Sequence, residues 1–256
     1  MGLNLQALLL LMNFLLLVLV AACLGYVAHK CRRIYLKQFA ADGLAAARSD
    51  NLYAQLEMRM ALEKDLQLPC ALPLTRGWAG SPDFLRHVHR IAMSLRPENI
   101  VECSSGTSTV VLARTAQMLG RGHVYSLEHD PVFARKTRAE LERNGLQAYA
   151  TVLDAPLRDH VLAGAHWRWY ETAGLPDAID LLVIDGPPST TQALARYPAV
   201  PALNDRISKG GCVLLDDADR PDERAAVARW KSEFQYVSGE DLFAEKGIAF
   251  LKRQGG

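Results

Sequence analysis

Residues 99–117, NIVECSSGTSTVVLARTAQ, and residues 124–131, VYSLEHDP, decide how this chain is read. Ile100 and Val101 read as the end of a buried strand, and Glu102 closes it. A Ser/Gly/Thr turn follows, and residues 110–118 then carry helical spacing. A second short strand ends in another carboxylate, Glu128. A nucleotide-like ligand needs this arrangement: a tight turn that brings bare backbone close, a helix N-terminus behind it, and an acid one strand over for a ribose. The turn departs from a dinucleotide fingerprint, because Gly106 is its only glycine and Ser104 and Ser108 stand in the flanking places.

The rest of the composition sets a plain background. The chain has 256 residues, half of them hydrophobic, enough for one good-sized α/β core. With a net charge of +1 and basic residues scattered beyond residue 40, it offers no electrostatic case for nucleic acid, and no such partner is expected. The five cysteines (Cys23, Cys31, Cys70, Cys103, Cys212) show no CxxC spacing. Cys103 and Cys212 fall inside apolar strands, where a thiol behaves as a small hydrophobe, so reduced cysteines in the cytosol are expected.

The N-terminal segment stands apart from that core. Residues 5–28 are almost wholly apolar, interrupted by Gln6 and Asn13, and as a helix would cross ~30 Å of hydrocarbon. Val20-Ala21-Ala22-Cys23 imitates a lipoprotein cleavage box. The chain stays apolar after the cysteine and lacks a basic n-region, which favours an uncleaved anchor over a signal peptide. His29, Lys30, Arg32, Arg33 and Lys37 follow the span, and the positive-inside bias puts what comes next on the cytoplasmic side of the inner (plasma) membrane. Residues 1–30 are read as a transmembrane anchor, 31–73 as a juxtamembrane helical stalk and 74–256 as the α/β domain. In the stalk, Leu44, Leu52, Leu56, Met60 and Leu66 recur at roughly helical spacing, and Pro69 and Pro73 end the pattern. The stripe is short and irregular, which favours a packing helix over a coiled pairing device, with a homodimer left open. In the LTRGWAGSP loop that follows, Ser81 and Pro82 suit the start of the next helix.

Beyond this loop, strand and helix alternate. Residues 100–102, 124–127, 150–153, 181–184 and 212–215 are short and apolar. Helical stretches are expected at 108–118, 131–144, around 158–163, and at 193–206. The fold class is α/β: a doubly wound, Rossmann-like, mostly parallel sheet covered on both faces. A helix over 222–234 and two strand-like segments, 234–237 and 248–252, close the chain as an antiparallel hairpin.

From residue 74 to 253 the chain resembles the class I S-adenosylmethionine-dependent methyltransferases. The phrases GWAGSPDF, VECSSGTSTVVLA, YSLEHDP, DLLVIDGPP, RYPAVPAL and VLLDDADRPDE resemble one bacterial methyltransferase subfamily, in order, across the domain. The resemblance implies S-adenosyl-L-methionine as cofactor. Glu102 then matches the acid that organises the loop and reaches the methionine amino group. Ser104, Gly106 and Ser108 match the places usually written GxGxG, with Gly106 where a side chain would collide with the cofactor. Glu128 matches the acid that accepts the ribose hydroxyls, and Asp154 a place near the adenine edge. The rival readings are a helix-capping or solvated acid for Glu128, and an acid away from the ligand for Asp154.

Asp185 follows residues 181–184, and Asp216 and Asp217 follow 213–215. Three carboxylates at the ends of neighbouring strands repel unless they are protonated, spread apart or bridged by a cation. The layout resembles the metal-dependent O-methyltransferases, which implies a divalent cation such as Mg2+ on Asp185, Asp216 and Asp217. The rival makes Asp185 alone a general base or acceptor-orienting group, with Asp216 a loop anchor and Asp217 a helix cap. Trp78, His160, Trp167, Trp169 and Tyr170 are candidate walls of an acceptor pocket, and Tyr197-Pro198 shapes a loop over it. The expected function is therefore methyl transfer, with Asp185 in the cleft, to an oxygen of a small or lipid-linked acceptor at the membrane. Two alternatives stand beside it: an NAD(P)-dependent oxidoreductase, and a catalytically silent membrane scaffold.

Overall fold

The computed structural model describes residues 4–254 except 76, 78 and 163. It divides into two compact units, Met1–Ala54 and Gln55–Gly256. The first is helical throughout its described residues from Leu5 onward. Helix α1, Leu5–Leu66, runs without interruption, since the first proline of the chain is Pro69. Its residues 5–54 bury nothing within the chain, and α1 is long and apolar enough to cross a membrane by length and composition. Residues 5–66, most of those read as anchor and stalk, are thus one helix. Its last turns belong to the second unit, where Leu62 and Leu66 are fully buried.

The second unit is built on seven strands. β1 (Asn99–Cys103), β2 (His123–Glu128), β3 (Ala150–Asp154), β6 (Ile179–Ile184) and β7 (Ile207–Asp216) pair in parallel in the order β3-β2-β1-β6-β7. β9 (Ile248–Arg253) then pairs antiparallel with β7, and β8 (Tyr236–Ser238) with β9. This is the expected Rossmann-like sheet with its closing hairpin. Alternation along each strand distributes side chains to both faces. Ile100, Val124, Leu181, Val183 and Leu214 pack on one side with helices α2 (Pro82–Leu95), α3 (Thr107–Leu119) and α4 (Pro131–Arg143). Val101, Cys103, Leu127, Leu182, Ile184 and Leu215 pack on the other, against Trp169, Tyr170, Tyr197 and Trp230. Trp230 lies on α6 (Pro221–Glu233).

Two expected helices differ. Residues 158–163 were expected to be helical. They fall largely in β4 (Leu157–Leu162), which pairs with β5 (Ala165–Tyr170) as a separate two-stranded sheet. Both strands are half exposed, so their charged residues imitate a polar helix surface. Of residues 193–206, only α5 (Ala199–Leu203) is helical. Tyr197 lies ahead of a proline, which disfavours helical backbone there.

Candidate active site

The parallel strands deliver their acids to one edge. Glu128, Asp154 and Asp216 are the last residues of β2, β3 and β7, Glu102 is next to last in β1, and Asp185 directly follows β6. Clefts outside the carboxyl ends of such a sheet are where ligands bind.

The turn after β1 is held from beneath. Glu102 is fully buried. The Gly106 N–H donates to Thr109 Oγ1 at 3.0 Å, and the Thr109 hydroxyl donates to Glu102 at 2.5 Å. Ser126 Oγ lies 2.9 Å from the same carboxylate and 2.6 Å from the Ser104 carbonyl oxygen. Burial pushes the Glu102 carboxyl up to about 7, against the opposing pull of the Ser108, Thr109 and Ser126 hydroxyls. Ser104 adopts φ +98° and Gly106 φ +155°. A Cβ on Gly106 would meet nothing within 4 Å, so the glycine answers to its backbone angle and leaves open space beside the turn.

Glu128 is buried against that turn and fully engaged. Its Oε2 accepts from the Ser105 N–H at 3.0 Å and the Ser105 hydroxyl at 2.8 Å. Its Oε1 accepts from the Asp130 N–H at 2.9 Å and faces His129 Nδ1 at 3.2 Å. Burial would raise this carboxyl, but the His129, Asp130 and Ser105 donors together hold it below the usual range. The helix-cap duty belongs to Asp130, whose carboxylate accepts from the Val132 N–H.

A cavity of about 840 Å³ opens over these groups. Ser104, Gly106, Ser108, Glu128, His129 and Asp185 stand in its wall, continuous with an apolar side that includes Leu72, Pro73, Leu74 and Phe133. Five of the nine expected site residues therefore meet in one cavity. Glu102 lies under the turn. Asp154 is turned away, with an exposed carboxylate 2.9 Å from Arg138. Asp216 and Asp217 lie behind Asp185, buried.

The β6–β7 end holds a residue that sequence reasoning missed. Arg196, almost fully buried, donates from Nη2 to Asp217 Oδ2 and to the Asp185 carbonyl oxygen at 2.9 Å each, and faces Asp185 Oδ1 at 3.3 Å. Its Nη1 donates to the Asp216 carbonyl oxygen at 2.9 Å. Burial pushes Asp185 up to about 6, Arg196 pulls it down, and Asp217 pushes it up again. Asp216, with both carboxylate oxygens buried and unpartnered, is raised well above the carboxylate range by burial and by its acidic neighbours.

This geometry tests the expected divalent cation. One oxygen from each of Asp185, Asp216 and Asp217 lies within 4.8 Å of the others, so spacing alone permits an ion. The Arg196 guanidinium, however, already bonds two of the three. A divalent ion among these oxygens would have to displace Arg196 from Asp185 and Asp217, or share both acids with its fixed charge. With Arg196 in place, the set does not fit a divalent ion.

Among the described residues, the aromatic candidates do not wall the cavity either. Trp169 and Tyr170 are buried beneath the sheet edge, and Trp167 packs on Tyr197 at 4.9 Å between ring centroids. Tyr197 is itself a core residue, its hydroxyl bonded to Glu233. His160 lies on the β4–β5 hairpin, and Trp78 falls outside the described residues. His129 and Ser105 complete the missed set. Both flank recognised residues, which was the available signal.

The fold and the turn-and-acid edge define a class I methyltransferase type of domain. Residues 101–218 match a family model described as a methyltransferase domain. The matched stretch includes Glu102, the serine turn, Glu128, Asp185, Arg196 and Asp216-Asp217. No curated protein matches the chain in sequence. Among solved structures, the Podospora anserina methyltransferase PaMTH1, solved with SAH bound, is similar in fold. Its TM-score is 0.56 at 14% identity, over 79% of this chain and 88% of that one. The N-terminal domain of human METTL16, in complex with SAH, gives 0.53 at 14% identity over 78% and 80%. A Geobacter sulfurreducens methyltransferase gives 0.50 at 13% identity over 79% and 89%.

Proposed function

We propose that this chain uses S-adenosylmethionine to methylate an oxygen of a small or lipid-linked acceptor at the cytoplasmic face of a membrane. The observation that carries the reading is one cavity shared by the residue 104–108 turn, Glu128 and Asp185. The family match and the SAH-bound neighbours support the choice of cofactor. The open space beside Gly106 fits a ligand pressed against bare backbone.

Bound there, S-adenosylmethionine would supply an electrophilic methyl group to the acceptor oxygen, with the C–S electron pair staying on sulfur. Glu128 would hold the ribose hydroxyls. Its two backbone donors stay in place, while the Ser105 hydroxyl and the His129 ring can rotate aside. Asp185 orients the acceptor and takes its proton. A carboxyl near 6 is ionised at neutral pH and still basic enough to accept. The buried floor excludes water and aligns the reactants, which is most of what methyl transfer asks of a protein.

Leu72, Leu74 and Phe133 suit the apolar part of an acceptor. The apolar stretch of α1, followed by His29, Lys30, Arg32, Arg33 and Lys37, supports anchoring with the α/β unit on the cytoplasmic side.

The test is labelled methyl transfer in membrane extracts, with calorimetry of SAH on the full chain in detergent. Transfer to a lipid-extractable product by the wild type, lost in Glu128→Ala and Asp185→Ala, is expected. Absence of SAH binding at millimolar concentration would overturn the reading.

A further inference from the structure

The acidic ends of β6 and β7 surround a positive charge that neither strand supplies. Arg196 comes from the loop between them, eleven residues after Asp185. Its side chain is 5% exposed. Two of the three guanidinium nitrogens donate hydrogen bonds, and the third makes only a longer ion-pair contact. Nη2 serves Asp185 and Asp217, Nη1 the Asp216 carbonyl oxygen, and Nε stands 3.8 Å from Glu223 Oε1. Arg220 adds a second, half-exposed cation, with Nη1 2.9 Å from Asp217 Oδ2.

We propose that Arg196 is the resident cation of the acceptor end, taking the place of a divalent ion and making methyl transfer independent of metal. It is a positioning residue, acting through Asp185. The proposal rests on the methyl-transfer reading above. A guanidinium cannot lose its charge in the working range, and its planar fork binds several oxygens at fixed angles. The bond to the Asp185 carbonyl oxygen fixes the backbone there, while the contact to Oδ1 fixes the carboxylate. Asp185 is thereby held on the cavity wall with its second oxygen left for the acceptor. Mg2+ in the same place demands near-octahedral oxygen ligands at ~2.1 Å and keeps several waters. Arg196 has already claimed an oxygen from two of the three carboxylates.

The test uses the full chain in detergent, stripped with EDTA, with Mn2+ as the probe followed by electron paramagnetic resonance. SAH calorimetry and labelled transfer are run on the same samples. Wild type is expected to bind SAH, to transfer methyl groups equally well after EDTA, and to show no stoichiometric Mn2+ at millimolar concentration. Arg196→Met, which keeps the stem and removes the charge, is expected to bind one Mn2+ at least about tenfold more tightly than wild type and to transfer better when Mn2+ is added. Arg196→Lys keeps the charge and stays indifferent to metal.

A wild type that binds SAH but also binds one Mn2+, or stops transferring in EDTA, overturns the role of Arg196 and leaves the methyl-transfer reading standing. A folded Arg196→Met that gains no Mn2+ affinity overturns it equally. If that variant does not fold, the two wild-type measurements decide. A wild type that does not bind SAH overturns both readings.

Discussion

The two ends of the carboxyl edge compensate buried acids by opposite means. At the β1–β2 end, Glu102 and Glu128 are met by hydroxyls, an imidazole and backbone N–H groups. At the β6–β7 end, Asp185 and Asp217 are met by the buried guanidinium of Arg196. The outcome depends on how far the donors offset burial, which is the largest influence at both ends. Glu128, with donors on both oxygens, is held below its usual range despite burial. Asp185 sits against a full positive charge yet is pushed up to about 6, because burial outweighs the pull of Arg196 and the Asp217 carboxylate adds to the push. One end presents a fixed negative acceptor suited to holding hydroxyls. The other presents a carboxylate that exchanges a proton near neutrality.

The largest break in this contrast is Asp185→Asn. It keeps the shape and removes the base, so transfer is expected to fall by roughly 10²- to 10⁴-fold while SAH affinity changes by less than about threefold. In wild type the carboxylate is the active form. Transfer is therefore flat above pH ~6 and falls about tenfold per unit below it, as measured by the pH profile of kcat/KM. A profile that rises on acidification removes Asp185 from the proton-accepting role.

Glu128→Ala breaks the other end. Loss of two hydrogen bonds to a charged acceptor, each worth ~1.5–3 kcal/mol, is expected to weaken SAH by at least about a hundredfold in calorimetry. Glu128→Gln, which keeps one acceptor oxygen, falls between. Equal SAH affinity in all three would make Glu128 a structural acid of the turn.

The β1–β2 end was legible in the sequence for a physical reason. Apolar strands ending in acids, with a serine-glycine turn and Asp130-Pro131 starting the next helix, are local patterns whose partners lie a few residues away. The parallel sheet and closing hairpin were legible on the same grounds. The β6–β7 end was not. Asp185 and the Asp216-Asp217 pair were visible, but the residue that links them, Arg196, lies eleven residues from one and about twenty from the others. No periodicity marks it, and it falls in the stretch 193–206 that was expected to be helical. Asp154 differs in the opposite way. It ends a strand as Glu128 does, in register with it, yet β3 is the sheet edge and its acid turns outward to Arg138.

A smaller effect separates burial from hydrogen bonding. Glu102 titrates near 4.5 when unfolded and about 7 when folded, so the folded state binds its proton more tightly. Its contribution is fully present below pH ~4.5 and lost as pH rises through about 7, a change of about 3 kcal/mol. Asp185 shifts in the same direction. The full chain is therefore expected to resist denaturant better at pH ~5 than at pH ~8, and Glu102→Gln to reduce that slope. A slope of the opposite sign means that the three hydroxyls outweigh burial.

The smallest expected effect concerns Ser104, the non-glycine residue at φ +98° in the turn. Its backbone is well tied, with the N–H donating to the Leu127 carbonyl oxygen at 2.9 Å and the carbonyl oxygen facing Ser126 Oγ at 2.6 Å. The side chain is accommodated from across the sheet. A Cβ on Gly186 would lie 2.8 Å from the Ser104 Cβ and 2.6 Å from the Tyr170 hydroxyl, so the glycine after Asp185 makes room for the serine after β1. Ser104→Gly relieves the backbone strain but frees the unfolded chain and empties a packed spot. These terms oppose, and the net change in stability is expected to stay within about 1 kcal/mol. SAH affinity should hold within about threefold, since the turn presents backbone to the ligand in either case. If affinity instead falls by an order of magnitude, the Ser104 hydroxyl itself binds the ligand, and the β1 end recognises through side chains as the β6 end does.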